Sequence, residues 1–243
     1  MDLLARLAAP AQDLLERVDR ALLTGGAPAG HPIWPLLRRL GALPGELVIE
    51  LAATTPESLR AAADPLRELA RAYVDGLDLM PGAAGWRGDA AEAFGAQWRA
   101  LAAHLADGAD SMAGGLTGTA SYVDDVAGWL AATRDAVAVA LARCLGSTEA
   151  ATLRALPAGA LGSGVAGLAG GWLATGAPGA MAGPRSAILA AAGIGAHLLR
   201  AAADGLDHGE ALHSRWAGRL DELPYRPTPA PAPPADTHLA LPS

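Results

Sequence analysis

Asp204, Asp207, His208, Glu210 and His213 lie close together near the end of the chain, and carboxylates with imidazoles are the side chains that hold zinc. Zinc needs ligands that converge. On a helix Asp204 and His208, four apart, share a face, whereas His208 and His213, five apart, diverge. The spacing therefore reads as a solvated amphipathic face rather than a metal site. His31, His104 and His197 are isolated in sequence, and no nucleophile with a base and an orienting acid can be picked out. Gly162, Gly164 and Gly167 fit the spacing GxGxxG, but a dinucleotide site needs a strand before it and an acid about 20 residues after it. No strand pattern precedes Gly162, and no acid occurs between 155 and 203. Cys144 is the one cysteine, which excludes an intramolecular disulfide and leaves an intermolecular bridge open. Its setting fits a small buried apolar side chain on a helix. These residues assign no catalytic group, no metal and no cofactor.

The elements that would carry any site are helices. The chain has 243 residues, enough for one large domain or two small ones, and is 51% hydrophobic but only 4% aromatic. Much of the apolar content is alanine, the best helix former and small enough to let helices approach closely. Apart from Glu46 to Glu50, strand-forming clusters are almost missing, so the composition predicts an all-α protein. All 18 basic residues are arginine, which reads as the mark of a GC-rich genome. A net charge of -7 without a basic run argues against a nucleic-acid partner.

Apolar spacing predicts a helix over 3–23, a short one from about Ile33 to Leu40, and another opened by Pro44. Thr55-Pro56-Glu57 reads as a helix start, followed by Leu59, Ala62, Leu66, Leu69, Tyr73 and Leu77. Asp64-Pro65 inside this run predicts a kink or a second helix start, and Met80-Pro81-Gly82 its end. After Trp86-Arg87-Gly88, Asp89 complements a helix N-terminus, and Phe94, Trp98, Leu101, Leu105 and Met112 follow at heptad-like spacing. The alternation slips at Leu116, beside Gly114, Gly115 and Gly118, so a bend or break is expected there. From Arg185, the pattern through Ile188, Leu199, Leu212 and Trp216 suits one amphipathic helix, interrupted if anywhere at Gly205 or Gly209.

The stretch Gly85-Trp86-Arg87-Gly88, with Ala90, Ala91, Phe94 and Trp98 after it, resembles the WXG superfamily, small helical-hairpin proteins exported by type VII secretion systems of actinobacteria and related bacteria. The resemblance covers roughly residues 56 to 146. It implies an antiparallel hairpin turning at Trp-x-Gly, with Trp86, Gly88, Phe94 and Trp98 forming a turn and partner-binding motif. It also implies a WXG-like partner or a second copy, recognition by the secretion ATPase, and export without a general secretory signal. The N-terminus, Met1 to Arg6, has no basic start with a continuous apolar core. Two features depart from the family. The N-terminal 55 residues and the glycine-rich region are additions to its length. The family's Tyr-x-x-x-Asp/Glu export signal is not matched, since Tyr122 is followed four places on by Val126 and Tyr225 by Pro229. That implies travel with a partner carrying the signal.

Residues 155 to 184 carry no charge and contain nine glycines, with GxxxG spacing at Gly167–Gly171 and Gly179–Gly183. They fit a tightly packed helix pair; the alternative is a membrane-active protein inserting residues 155–200 into a bilayer. From Pro224 to Ser243 seven of 20 residues are proline, a tail that cannot build a core and is expected to be disordered. The organisation expected is an N-terminal helical extension (1–55), a WXG-like hairpin (56–146), Gly/Ala-rich and amphipathic helices (147–223) and the tail (224–243). The function expected is non-enzymatic helix–helix recognition.

Overall fold

The structure, a computed structural model, describes residues 2–79, 85–156 and 183–221. The GxGxxG at Gly162–Gly167, both GxxxG pairs, most of the 155–175 apolar run, Met80-Pro81-Gly82 and the proline-rich tail lie outside the described residues. The protein is all-α. Among the described residues there are eight helices and no strand: α1 (Leu3–Gly25), α2 (Ile33–Leu40), α3 (Pro44–Ala53), α4 (Pro56–Leu79), α5 (Asp89–Ala106), α6 (Met112–Leu145), α7 (Thr148–Ala155) and α8 (Pro184–Asp221). The apolar cluster Glu46 to Glu50 is helical, inside α3.

The chain forms two compact units. The first comprises residues 1–63 and 122–215. Its core gathers Leu4, Leu14, Leu15 and Val18 from α1, Ile33 from α2, Val48 from α3, Val137 and Leu141 from α6, Leu153 from α7, and Ile194, Leu198 and Leu199 from α8. Cys144 belongs to the same core. The spacing of three and four that marked α1 and α8 is thus the face that each turns inward. Helix ends are closed by side chains from near and far. Asp2 caps α1 by accepting the Ala5 N–H at 2.9 Å. Asp19, on α1, accepts the Gly45 N–H at 2.9 Å and so caps α3 from another helix. Arg17 donates to the Leu156 carbonyl at 2.8 Å, satisfying the end of α7.

The second unit comprises residues 64–121 and 216–243. It holds most of α4 and all of α5, and α5 has no buried residue. Asp64-Pro65 neither breaks α4 nor starts a new helix, since Pro56–Leu79 is one helix with Pro65 inside it. The expected break beside Gly114, Gly115 and Gly118 is corrected. The interruption falls earlier, between Ala106 and Met112, and these glycines lie within α6. Gly108 takes φ 85°, a conformation that suits glycine, and Ser111 then starts α6 by accepting the Gly114 N–H at 3.0 Å. Gly114 is needed for a different reason, because a Cβ there would lie 2.3 Å from the Gly108 carbonyl oxygen. α8 runs uninterrupted through Gly205 and Gly209. By length and composition, its stretch Arg185–Arg219 would suffice to cross a membrane, with 61% of the most apolar window buried inside the protein.

Candidate functional site

The Trp86-Arg87-Gly88 motif sits immediately before α5. Gly88 is the cap residue, with φ 90° and ψ -177°, backbone angles essentially confined to glycine. Its carbonyl accepts the N–H groups of Ala91 at 2.9 Å and Glu92 at 3.2 Å, which starts the helix. Asp89 and Glu92 place two acids in the first turn, where they complement the helix dipole. Gly85 also has a positive φ, 92°, which favours glycine, so such residues lie on both sides of the indole.

That geometry folds Trp86 back onto α5. Its ring lies 5.5 Å from that of Phe94, tilted by 44°. A tilted pair at this distance is a favourable aromatic contact. The pair nevertheless stays in solvent, Trp86 being 63% and Phe94 39% exposed. Trp98, one turn further, is half-buried. Three of the four motif residues, Trp86, Gly88 and Phe94, are therefore brought together. Leu69, Val74, Leu79 and Leu101 add further exposed apolar side chains on the two helices that flank the motif.

The acidic and histidine cluster on α8 is used otherwise. Asp207 pairs with Arg39 of α2, and Glu210 lies 3.8 Å from the same guanidinium. The hydrogen bond from Arg39 holds the Asp207 carboxyl below its usual range. His208 Nδ1 lies 2.6 Å from the Asp204 carbonyl, an i–4 contact along the helix. Among the described residues no three His, Cys, Asp or Glu side chains converge as a metal site would require.

A groove that sequence reasoning missed runs along α6 and α8 in the first unit. One cavity, of about 460 Å3, is lined by Ala136, Val139, Ala140, Ile194 and Ala201, with Arg143, His197 and Arg200 among its polar groups. A second, of about 680 Å3, continues it, sharing Ala136, Ala201 and Asp204 and reaching Trp129 and Arg215. Trp129 donates its indole N–H to the Gly205 carbonyl at 2.6 Å and ties the helices together along it. Cys144 lines the first cavity, and burial pushes its thiol up to about 11, so the sulfur is neutral there. Glu149 opens onto the same cavity but is engaged by the first turn of α7. Its own backbone N–H and the Ser147 and Thr148 side chains hold its carboxyl below the usual range. α7 itself also escaped the sequence reading. Its signal is Ser147, which caps it by accepting the Ala150 N–H at 3.1 Å.

Compared with protein-family models, curated proteins and solved structures, the chain matches none.

Proposed function

We propose that the chain is a WXG-like, type VII secretion-associated protein that works by helix–helix recognition rather than catalysis. In this reading the Trp86-Arg87-Gly88 turn and the apolar faces of α4 and α5 receive a partner, either a WXG-like subunit or the secretion ATPase. One observation carries it. Trp86 packs its ring on Phe94, yet it is 63% exposed, immediately before a helix without a single buried residue. Large apolar side chains held outside the core mark interaction surfaces. Aromatic side chains with little freedom to lose are favoured as interface anchors. The test is Trp86→Ala in the native host, with and without the secretion ATPase. Loss of co-purifying partner and of ATPase-dependent appearance in the medium is the expected result. Unchanged binding and export would remove the motif from the function.

The second reading, insertion of residues 155–200 into a bilayer, draws on the apolar length of Arg185–Arg219. Leu198 and Leu199 within it are buried in the core of the first unit, so insertion would require that core to open. Flotation of the intact protein with liposomes separates the two readings.

A further inference from the structure

We propose that the groove between α6 and α8 binds a single-chain anionic amphiphile, a long-chain carboxylate or alkyl phosphate, with its head at Arg143 and Arg200 and its chain along the alanines. Ligand sites are mostly apolar clefts, commonly between helices, with a few placed polar groups, and span roughly 300–1,000 Å3. Both cavities fall in that range. They join through Ala136 and Ala201 into one slot. Along α6 the slot extends from Asp125 to Arg143, about 27 Å at the helical rise. Its α6 wall is a row of Gly128, Ala132, Ala136 and Ala140, whose short side chains leave room for an alkyl chain.

The first cavity holds two guanidiniums and the second one, Arg215, so the head is placed at the pair. Arg143 and Arg200 line the first cavity, and neither forms an ion pair among the described residues. Two carboxylates, Glu149 and Asp204, line the same cavity. Glu149 is held by the first turn of α7, and Asp204 contributes to the field on Arg39. Arg143 and Arg200, which form no ion pair among the described residues, stand at the mouth of an apolar slot and offer the planar donor pairs that bind a carboxylate or phosphate in a bidentate fashion. Val139, 44% exposed at the same cavity, gives the first part of the chain an apolar contact. The neutral Cys144 thiol keeps the floor uncharged.

The test is titration of the full-length protein with palmitate and with dodecyl phosphate, followed by calorimetry and native mass spectrometry. Acetate, inorganic phosphate and the alcohol corresponding to palmitate serve as controls. The variants are Arg143→Gln combined with Arg200→Gln, and Ala136→Leu. All three residues are exposed, so the variants are expected to keep the wild-type helical circular dichroism and melting temperature. Stoichiometric binding of at least one long-chain anion is expected, at least tenfold weaker for the alcohol and the double arginine variant, and lost in Ala136→Leu. Absence of binding by both long-chain anions would overturn the proposal. So would affinities unchanged within twofold in both variants, or equal binding of acetate and inorganic phosphate. Trp86→Ala should leave this binding unaltered, which keeps the result independent of the secretion reading.

Discussion

Arg134 and Asp2, 132 residues apart, form an ion pair in which the guanidinium Nε lies 2.6 Å and Nη2 2.5 Å from Asp2 Oδ2. Arg134 is 2% exposed, and it also donates to the carbonyls of Leu51 and Thr54 at the end of α3. One side chain on α6 thus holds the start of α1 and the end of α3. Arg134→Met should cost about 1–3 kcal/mol, since it leaves two carbonyls without their donor and a part-exposed acid without its partner. Urea unfolding at neutral pH measures the loss. Burial opposes ionisation of Asp2, but the Ala5 N–H and the hydrogen bond and charge of Arg134 outweigh it and hold the carboxyl below its ordinary value. A depressed carboxyl contributes stability that is present above the unfolded pKa and lost as pH falls through the folded one. Asp2→Asn should therefore flatten the acid limb of the stability curve, below about pH 4.

Asp19 pulls the other way. Burial raises its carboxyl above 3.8, although the Gly45 and Glu46 N–H groups it accepts partly offset this. A raised carboxyl contributes stability that is complete below the unfolded pKa and lost as pH rises through the folded one. Asp19→Asn keeps an acceptor for Gly45 and should lose little at neutral pH. Asp19→Ala, which uncaps α3, should lose about 1 kcal/mol. Thermal melts at pH 3 and pH 7 would contradict this if the Asn variant lost more at pH 7 than at pH 3.

Glycine-to-alanine changes should divide by environment. At Gly205 a Cβ would lie 2.5 Å from Thr133 Cγ2, against a packed and hydrogen-bonded side chain. At Gly118 it would meet nothing within 4 Å. Gly205→Ala should destabilise by about 1–3 kcal/mol, overpacking outweighing helix propensity. Gly118→Ala should stabilise by about 0.5–1 kcal/mol. Denaturation midpoints of opposite sign check both.

Gly88→Ala forces a Cβ into backbone angles nearly reserved for glycine, at a cost of about 1–3 kcal/mol. The surroundings are open, so the penalty is conformational rather than steric. Hydrogen exchange should show it as faster exchange in the first turns of α5, with α1 and α8 unchanged.

Cys144 should resist alkylation in the folded protein at pH 8, because it is 4% exposed and its thiol is pushed up to about 11. Iodoacetamide labelling should become fast on adding urea. Rapid labelling of the native protein at pH 8 would place the thiol at the surface.

Much of the helical layout was legible in the residues. Thr55-Pro56-Glu57 marks the start of α4 because a cap, a proline and an acid each suit unpaired N–H groups. Leu14, Val18 and Leu22 mark the buried face of α1 because their spacing follows the helical repeat. Gly88 announces its turn because few other residues tolerate its angles. Glycine number does not locate the break before α6; position does. Gly108 with Ser111 stops and restarts the helix, whereas Gly115 and Gly118 are carried inside it.

Only tertiary structure decided which groups meet. Periodicity identifies the face of a helix that must be covered but not what covers it. Arg134 reads in sequence as one more arginine on an exposed helix, yet three distant oxygen partners make it a buried anchor. The same holds for Asp19 reaching α3 and for Trp129 reaching Gly205. The α6–α8 groove has no local signature because two separate rows of small side chains create it only when their helices pack. Local preferences act over one or two turns, so the chain alone fixes where its helices form; the pairing of charges and cavities depends on contacts between residues from 26 to 132 positions apart.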